Sequence, residues 1–300
     1  MNVSAEHMNE PNSSRREKEN TGPFSQIPNL FTLLNLFCGC IAIVFILQTG
    51  QSIVTLDNTG YFEPLFPEKM GWGALFIFFA AAVDFLDGFL ARMMNVSSDK
   101  GKQLDSLSDV VSFGVAPGMI FYQLLRLGYA KTEGGLDVSF AYLLPAFIFT
   151  CAVAWRLAKF NVSINQSDSF KGVPSPAAGL VVASLPLIIW FYDADPESWK
   201  AKLSVPQYII TPWLLYSAIL LLSYLMVCNR TFIAMKFKDF SLKNNALKYL
   251  LLAISLICLV VLQWLAVPVI FVLYLIFSFF SKVPAPVSGL RDDKTLDVTV

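Results

Sequence analysis

The chain has 300 residues, 55% of them hydrophobic and only 15% charged, and its 22 basic residues balance 22 acidic ones. A soluble domain carries roughly a quarter charged residues, so this composition excludes an ordinary water-soluble globule and indicates a polytopic membrane protein. Formal net charge is zero, so the total says nothing about nucleic acid or acidic partners and only the distribution of charge is informative; no nucleic-acid partner is expected.

Residues 1–26 are polar and contain no apolar core, which excludes a secretory signal peptide and reads as a disordered cytoplasmic tail. The single histidine, His7, lies in that tail, so chemistry that needs a histidine base has nothing to use in the apolar part. The five cysteines, Cys38, Cys40, Cys151, Cys228 and Cys258, sit in apolar runs without paired spacing, which argues against disulfides and zinc clusters.

A membrane-spanning helix needs about 20 mostly apolar residues. Such stretches occur in order at 28–48, 71–93, 104–127, 139–160, 174–193, 207–228, 246–264 and 267–281. The expected fold is therefore an all-α helix bundle of about eight transmembrane helices. The last two are separated only by residues around Pro268, so one long bent span is the competing reading there. With the N-terminus inside, only Lys69, Arg126, Lys131, Lys200 and Lys202 of the 22 basic residues fall outside, and the other 17 fall on the cytoplasmic side. This asymmetry follows the positive-inside rule and predicts that both termini are cytoplasmic.

The chemistry concentrates in residues 84–109, DFLDGFLARMMNVSSDKGKQLDSLSD. Asp84 and Asp87 are three apart and Asp105 and Asp109 four apart, so each pair shares one face of a helix. The intervening polar segment is short enough to make the two helices antiparallel neighbours, which brings the pairs together. Four converging carboxylates repel one another and lose hydration, and a divalent cation, often two, resolves this. Oxygen donors without histidine or cysteine favour Mg²⁺ or Mn²⁺ over zinc. Gly88 and Gly101 leave room for a ligand to approach, Ala91 keeps the adjoining turn small, and Arg92 can grip a phosphate. Solvated acids at helix ends are common, but ionisable residues at membrane depth are rare without a function. A cation transporter would spread its acids through the membrane, whereas these gather at one surface.

The pattern D-x2-D-G-x2-A-R-x8-G-x3-D-x3-D, matched by Asp84, Asp87, Gly88, Ala91, Arg92, Gly101, Asp105 and Asp109, resembles the CDP-alcohol phosphatidyltransferases. These are integral membrane enzymes that displace CMP from a CDP-linked lipid with an alcohol. The resemblance implies Asp84, Asp87 and Asp105 as metal ligands and Asp109 as a ligand that also acts as general base. It also implies that Gly88, Ala91, Arg92 and Gly101 line the nucleotide and its pyrophosphate.

Three further stretches bear on the acceptor alcohol. IPNLFTLLNLFCG at 27–39, SDVVSFGVAPGMIFY at 108–122, and RLAKFNV at 156–162 with FKGVPSPAAG at 170–179 resemble the membrane-integral bacterial branch whose acceptor is L-serine. The likeness is strong over about 27–180 and weak beyond. Lys171 departs from it, standing where an apolar residue is more usual. Physically, Pro28 and Asn29 open the first span and Thr32 and Asn35 follow at helical spacing, a polar stripe in which Asn29 and Thr32 could face the nucleotide. Arg156 and Asn161 end the fourth span, and Ser175 opens the fifth between two prolines, where free N–H groups suit an anion. Arg156, Asn161 and Ser175 are therefore the candidate acceptor pocket.

The resemblance implies CDP-diacylglycerol and L-serine as substrates, a homodimer, and a bacterial inner (cytoplasmic) membrane location with the site at the cytoplasmic face. A sister enzyme using glycerol 3-phosphate is the nearest alternative, but that dianion calls for more basic residues than Arg156, Lys159 and Lys171. The expected organisation is a tail at 1–26, a catalytic transmembrane core at 27–193, additional transmembrane helices at 194–282 and a cytoplasmic tail at 283–300.

Overall fold

The computed structural model describes residues 26–48, 54–56, 62–64, 66–94, 99–131, 135–162, 170–193, 205–232 and 242–280. The expectations for the two tails, and for most of the outer loops, lie outside these residues. Helices dominate: α1 Ile27–Leu47, α2 Glu68–Met93, α3 Asp99–Asp109, α4 Ala116–Ala130, α5 Ala146–Val162, α6 Ser175–Asp193, the short α7 Val205–Ile209, α8 Pro212–Val227, α9 Leu242–Leu262 and α10 Ala266–Phe280. The only strands among the described residues form two short antiparallel ladders, β1 Val54–Leu56 with β2 Phe62–Pro64 and β3 Phe170–Lys171 with β4 Thr231–Phe232.

Four helical stretches are long and apolar enough to cross a membrane: Ile27–Leu47, Lys69–Met93, Asp99–Ala130 and Ala246–Phe279. The apolar helices at Ser175–Phe191 and Pro212–Val227 are shorter.

Helix ends follow the prolines. Pro28 occupies the first turn of α1, where its missing N–H costs nothing. The apolar stretch from 139 becomes a regular α-helix only at Ala146, preceded by tight turns in which Ala146, Phe147 and Ile148 donate three residues back, to Leu143, Leu144 and Pro145. Phe140–Tyr142 form a 3-10 turn instead. Pro212 likewise opens α8 after a break behind α7.

The 246–281 stretch breaks at a 3-10 turn, Gln263–Leu265, and not at Pro268. Gln263 adopts a left-handed φ of 52° there, while Pro268 sits harmlessly in the first turn of α10. Trp264 packs on Phe78 and on Phe191 near the end of α6, whereas Phe279 lies beside Arg230, just past the end of α8. Helix α10 thus runs from one end of the bundle to the other, and α9 packs against it.

The third apolar stretch is one continuous rod with an internal irregularity. Between α3 and α4, Val110–Val115 form a π-helical turn, in which the Ala116 N–H reaches Val111, five residues back. Pro117 accounts for it: the residue lacks an N–H, and its ring crowds the carbonyl four residues earlier, which a wider turn accommodates. This turn packs at the bundle centre. Gly39 of α1 lies so close that a Cβ there would fall 2.5 Å from Ser112 Oγ. Gly114 and Gly118, one turn apart, let α5 approach through Val153 and Thr150. The Thr150 hydroxyl donates to the Gly114 carbonyl at 2.9 Å, giving that carbonyl a partner where the ladder is irregular. Phe113, Ile120, Phe121, Leu124 and Phe149 build the adjoining core, which extends to α8, β4 and α10 through Leu215, Ile219, Phe232 and Phe271.

Candidate active site

Helices α2 and α3 carry the two aspartate pairs, and α1 packs against both. Asp84 and Asp87 lie in the last third of α2, and Asp105 and Asp109 in the last two turns of α3. Asp84, Asp105 and Asp109 converge so that one carboxylate oxygen of each lies within 4.8 Å of the others. Asp87 is buried beside them, only 5% exposed, and its Oδ2 accepts a 2.9 Å hydrogen bond from the Thr32 hydroxyl of α1. Asp109, 7% exposed, is reached from α1 as well: Asn35 Nδ2 donates to its Oδ1 at 3.4 Å. The Ser112 hydroxyl of the π turn donates to the Asn35 backbone carbonyl at 3.0 Å, tying the helix after Asp109 to the helix that touches Asp109.

No lysine or arginine among the described residues forms an ion pair with any of the four aspartates. Three acidic groups this close, all oxygen donors and without a salt bridge among the described residues, have the donor set of a hard divalent cation. The buried Asn35 Oδ1 and Ser108 Oγ have no hydrogen-bond partner, so the same region retains unsatisfied acceptor capacity next to the acids. The residues present fit Mg²⁺ or Mn²⁺.

The other sequence-predicted residues distribute as follows. Gly88 follows Asp87 on α2, and a Cβ there would meet only Arg92 Nη1, at 3.7 Å, so its face is open to a ligand and not packed against a neighbouring helix. Ala91 is half-buried and Arg92 exposed in the last turn of α2; Gly101 lies in the first turn of α3. Asn29 bonds to Gln26 at the exposed start of α1. The Thr32 hydroxyl lies between the Pro28 carbonyl and the Asp87 carboxylate, so it meets the cluster directly.

In the candidate acceptor pocket, Arg156 Nη1 donates to Ser175 Oγ at 3.0 Å across α5 and α6. Both are buried, Arg156 at 9% exposure, and the Arg156 Nε has no partner. The guanidinium lies near enough to Asp109 to interact with its charge. Asn161 does not join this pair. It is exposed and donates to Ser106 Oγ of α3 at 2.9 Å, one residue beyond Asp105. Asn35 and Ser112, given no role from the sequence, are drawn into the site, Asn35 by its bond to Asp109 and Ser112 by its bond to Asn35; the polar stripe on α1 was a signal for Asn35, and nothing marked Ser112.

The family model described as CDP-alcohol phosphatidyltransferase matches residues 25–228, which includes every residue of this site. The chain belongs to the CDP-alcohol phosphatidyltransferase family. Within this family the chain is 31% identical over 262 residues to the CDP-diacylglycerol–serine O-phosphatidyltransferase of Helicobacter pylori, covering 85% of this chain and 90% of that one. The Bacillus subtilis protein of the same name is 32% identical over 165 residues, 53% of this chain and 74% of that one. The archaetidylserine synthase of Methanothermobacter thermautotrophicus is 28% identical over 184 residues, 61% and 66% of the two chains. For a CDP-alcohol phosphatidyltransferase the arrangement is chemically apt, since a cation-ready carboxylate cluster is joined on one side to a buried arginine at a helix start.

Proposed function

We propose that this protein transfers the phosphatidyl group of CDP-diacylglycerol to L-serine, giving phosphatidylserine and CMP. The observation that carries this reading is the convergence of Asp84, Asp105 and Asp109, with Asp87 alongside, on two helices in the spacing of the family signature. The serine acceptor is supported by the names of the relatives, including one that acts on a different class of lipid but shares serine in its name.

Asp84, Asp87, Asp105 and Asp109 would hold Mg²⁺ or Mn²⁺, in two sites. Bound there, the cation neutralises charge on a pyrophosphate and its leaving group. The chain's own groups do the rest. Asp109 accepts the proton of the serine hydroxyl as its oxygen bonds to the lipid-linked phosphorus, and the bond from that phosphorus to the CMP oxygen breaks. Asn35 holds the Asp109 carboxylate through Oδ1. Gly88, Ala91, Arg92 and Gly101, with Asn29 and Thr32 on α1, line the nucleotide side. Arg156 and the start of α6 at Ser175 receive the serine carboxylate, because a buried guanidinium and free helix N–H groups both favour an anion. Asn161 belongs to the rim of that pocket.

The proposed setting is a bacterial cytoplasmic membrane crossed eight times, with both termini and the active site at the cytoplasmic face. The distribution of basic residues supports it. The proposed organisation keeps 27–193 as the catalytic core and 194–282 as additional helices flanked by tails at 1–26 and 283–300, and the assembly is a homodimer, as the family resemblance implies.

The test is CMP release by the purified protein from CDP-diacylglycerol with Mn²⁺, offering L-serine, glycerol 3-phosphate or no acceptor. Release is expected only with serine, to disappear on chelation and to return when Mn²⁺ or Mg²⁺ is restored. Release driven by glycerol 3-phosphate would keep the carboxylate site and discard the serine assignment. In the same assay, Arg156→Ala is expected to raise the apparent KM for serine about tenfold, the loss of one charge-assisted hydrogen bond, while the KM for CDP-diacylglycerol holds. Equal rises in both would remove Arg156 from the acceptor pocket.

A further inference from the structure

The match to the family model stops at Cys228, yet the next four residues and the last helix grip the segment that leads into Ser175. Strand β3 pairs with β4, Phe170 opposite Phe232 and Lys171 opposite Thr231. The Gly172 N–H donates to the Arg230 carbonyl at 2.9 Å and the Val173 N–H to the Leu225 carbonyl at 3.0 Å. Gly172 has a φ of 77°, and a Cβ there would lie 2.3 Å from the Met226 carbonyl oxygen, so only glycine lets the strap seat this closely. Three residues after Gly172, Ser175 takes its hydrogen bond from Arg156.

Beyond the strap, α10 completes the clamp. Phe232 is buried and stacks on Tyr274, centroids 6.4 Å apart. The Arg230 guanidinium lies 3.8 Å above the Phe279 ring centre and donates from Nη2 to the Phe279 carbonyl at 3.2 Å. That carbonyl is one of the last in α10, where a helix leaves acceptors unpaired and favours a cation. On the other side, Lys159 of α5 donates to the Asn229 side chain. Residues 229–232 are thus bonded to α5, to the approach to α6 and to the end of α10.

We infer that α10, through the 229–232 strap, is a positioning element for the acceptor pocket, holding the approach to Ser175 so that Arg156 and the α6 start face serine together. This rests on the assignment of Arg156 and Ser175 to the acceptor side. Arg230, Phe232 and Tyr274 touch no carboxylate of the cluster in any contact described; they act through the backbone at 170–173.

The experiment uses the full-length protein in detergent–lipid micelles, with apparent KM for serine, KM for CDP-diacylglycerol, kcat and thermal midpoint measured for Arg230→Ala, Tyr274→Leu, Arg230→Lys and Arg156→Ala. Serine KM is expected to rise about fivefold in Arg230→Ala and in Tyr274→Leu, the size expected for coupling through packed neighbours. The KM for CDP-diacylglycerol and the thermal midpoint should hold, and Arg230→Lys, which keeps a cation at the helix end, should recover part of the loss. A rise in Arg156→Ala with no change in the Arg230 and Tyr274 variants would overturn the strap's role and leave the pocket standing. No rise in any variant would overturn the pocket itself. A joint fall in kcat, both affinities and the thermal midpoint would reduce α10 and the strap to a structural brace and overturn the inference as well.

Discussion

Asp109→Asn is expected to lower kcat for CMP release by about 10³-fold, within the range by which a positioned general base accelerates proton transfer. Asparagine keeps the size of the side chain and can still meet Asn35, but its amide cannot take the serine proton. Asp109 is also one of the three convergent acids, so part of any loss could come from weaker cation binding. Raising Mn²⁺ separates the two contributions. A defect that persists at saturating Mn²⁺ assigns the loss to the missing base, whereas full recovery would make Asp109 a ligand only and send the search for a base elsewhere. An Asp105→Asn variant run beside it should recover more with added Mn²⁺, because that carboxylate has no assigned proton to accept.

The second large effect comes from a residue with no chemistry. Gly39→Val places a branched side chain where even a Cβ would fall 2.5 Å from Ser112 Oγ and 3.0 Å from Ser112 Cα. The hydroxyl can swing aside, but the Cα cannot, so α1 and the π turn must part. Overpacking of this kind costs about 1–3 kcal/mol, to be read as a lower thermal midpoint in detergent. Activity should fall by more than stability alone explains, because α1 carries Thr32 to Asp87 and Asn35 to Asp109. Pushing α1 outward removes both bonds at once. A stable protein with full turnover would mean that these α1 contacts do nothing for the carboxylates.

How much of this was legible in the sequence depends on whether a feature is local. The aspartate pairs were legible because helical spacing alone puts Asp84 with Asp87 and Asp105 with Asp109 on common faces. Thr32 and Asn35 were legible as a polar stripe, but their partners lie 55 and 74 residues away and are set by helix packing. The grouping of Asn161 with Arg156 shows the limit of adjacency in sequence. Five positions along a helix is about 140° around it, so Asn161 points to α3 while Arg156 points to α6. The last two helices were legible as apolar, but the break between them falls on the backbone of Gln263, a residue type with no strong turn signature. Pro117 was in plain view and marks the π turn, yet a proline near the middle of an apolar stretch does not by itself distinguish a kink, a stop or a widened turn.

That widened turn divides one rod into two lengths. Its inner length presents Asp105, Asp109 and Ser112 to α1 and α2, and its outer length presents Gly118 to α5. Residues advance about 100° each around an α-helix, and the extra backbone residue of the wide turn sets the angular phase between the two lengths. With the outer length seated on α5, the loss of a single residue between 110 and 115 would swing the carboxylates a quarter turn or more off their bearing.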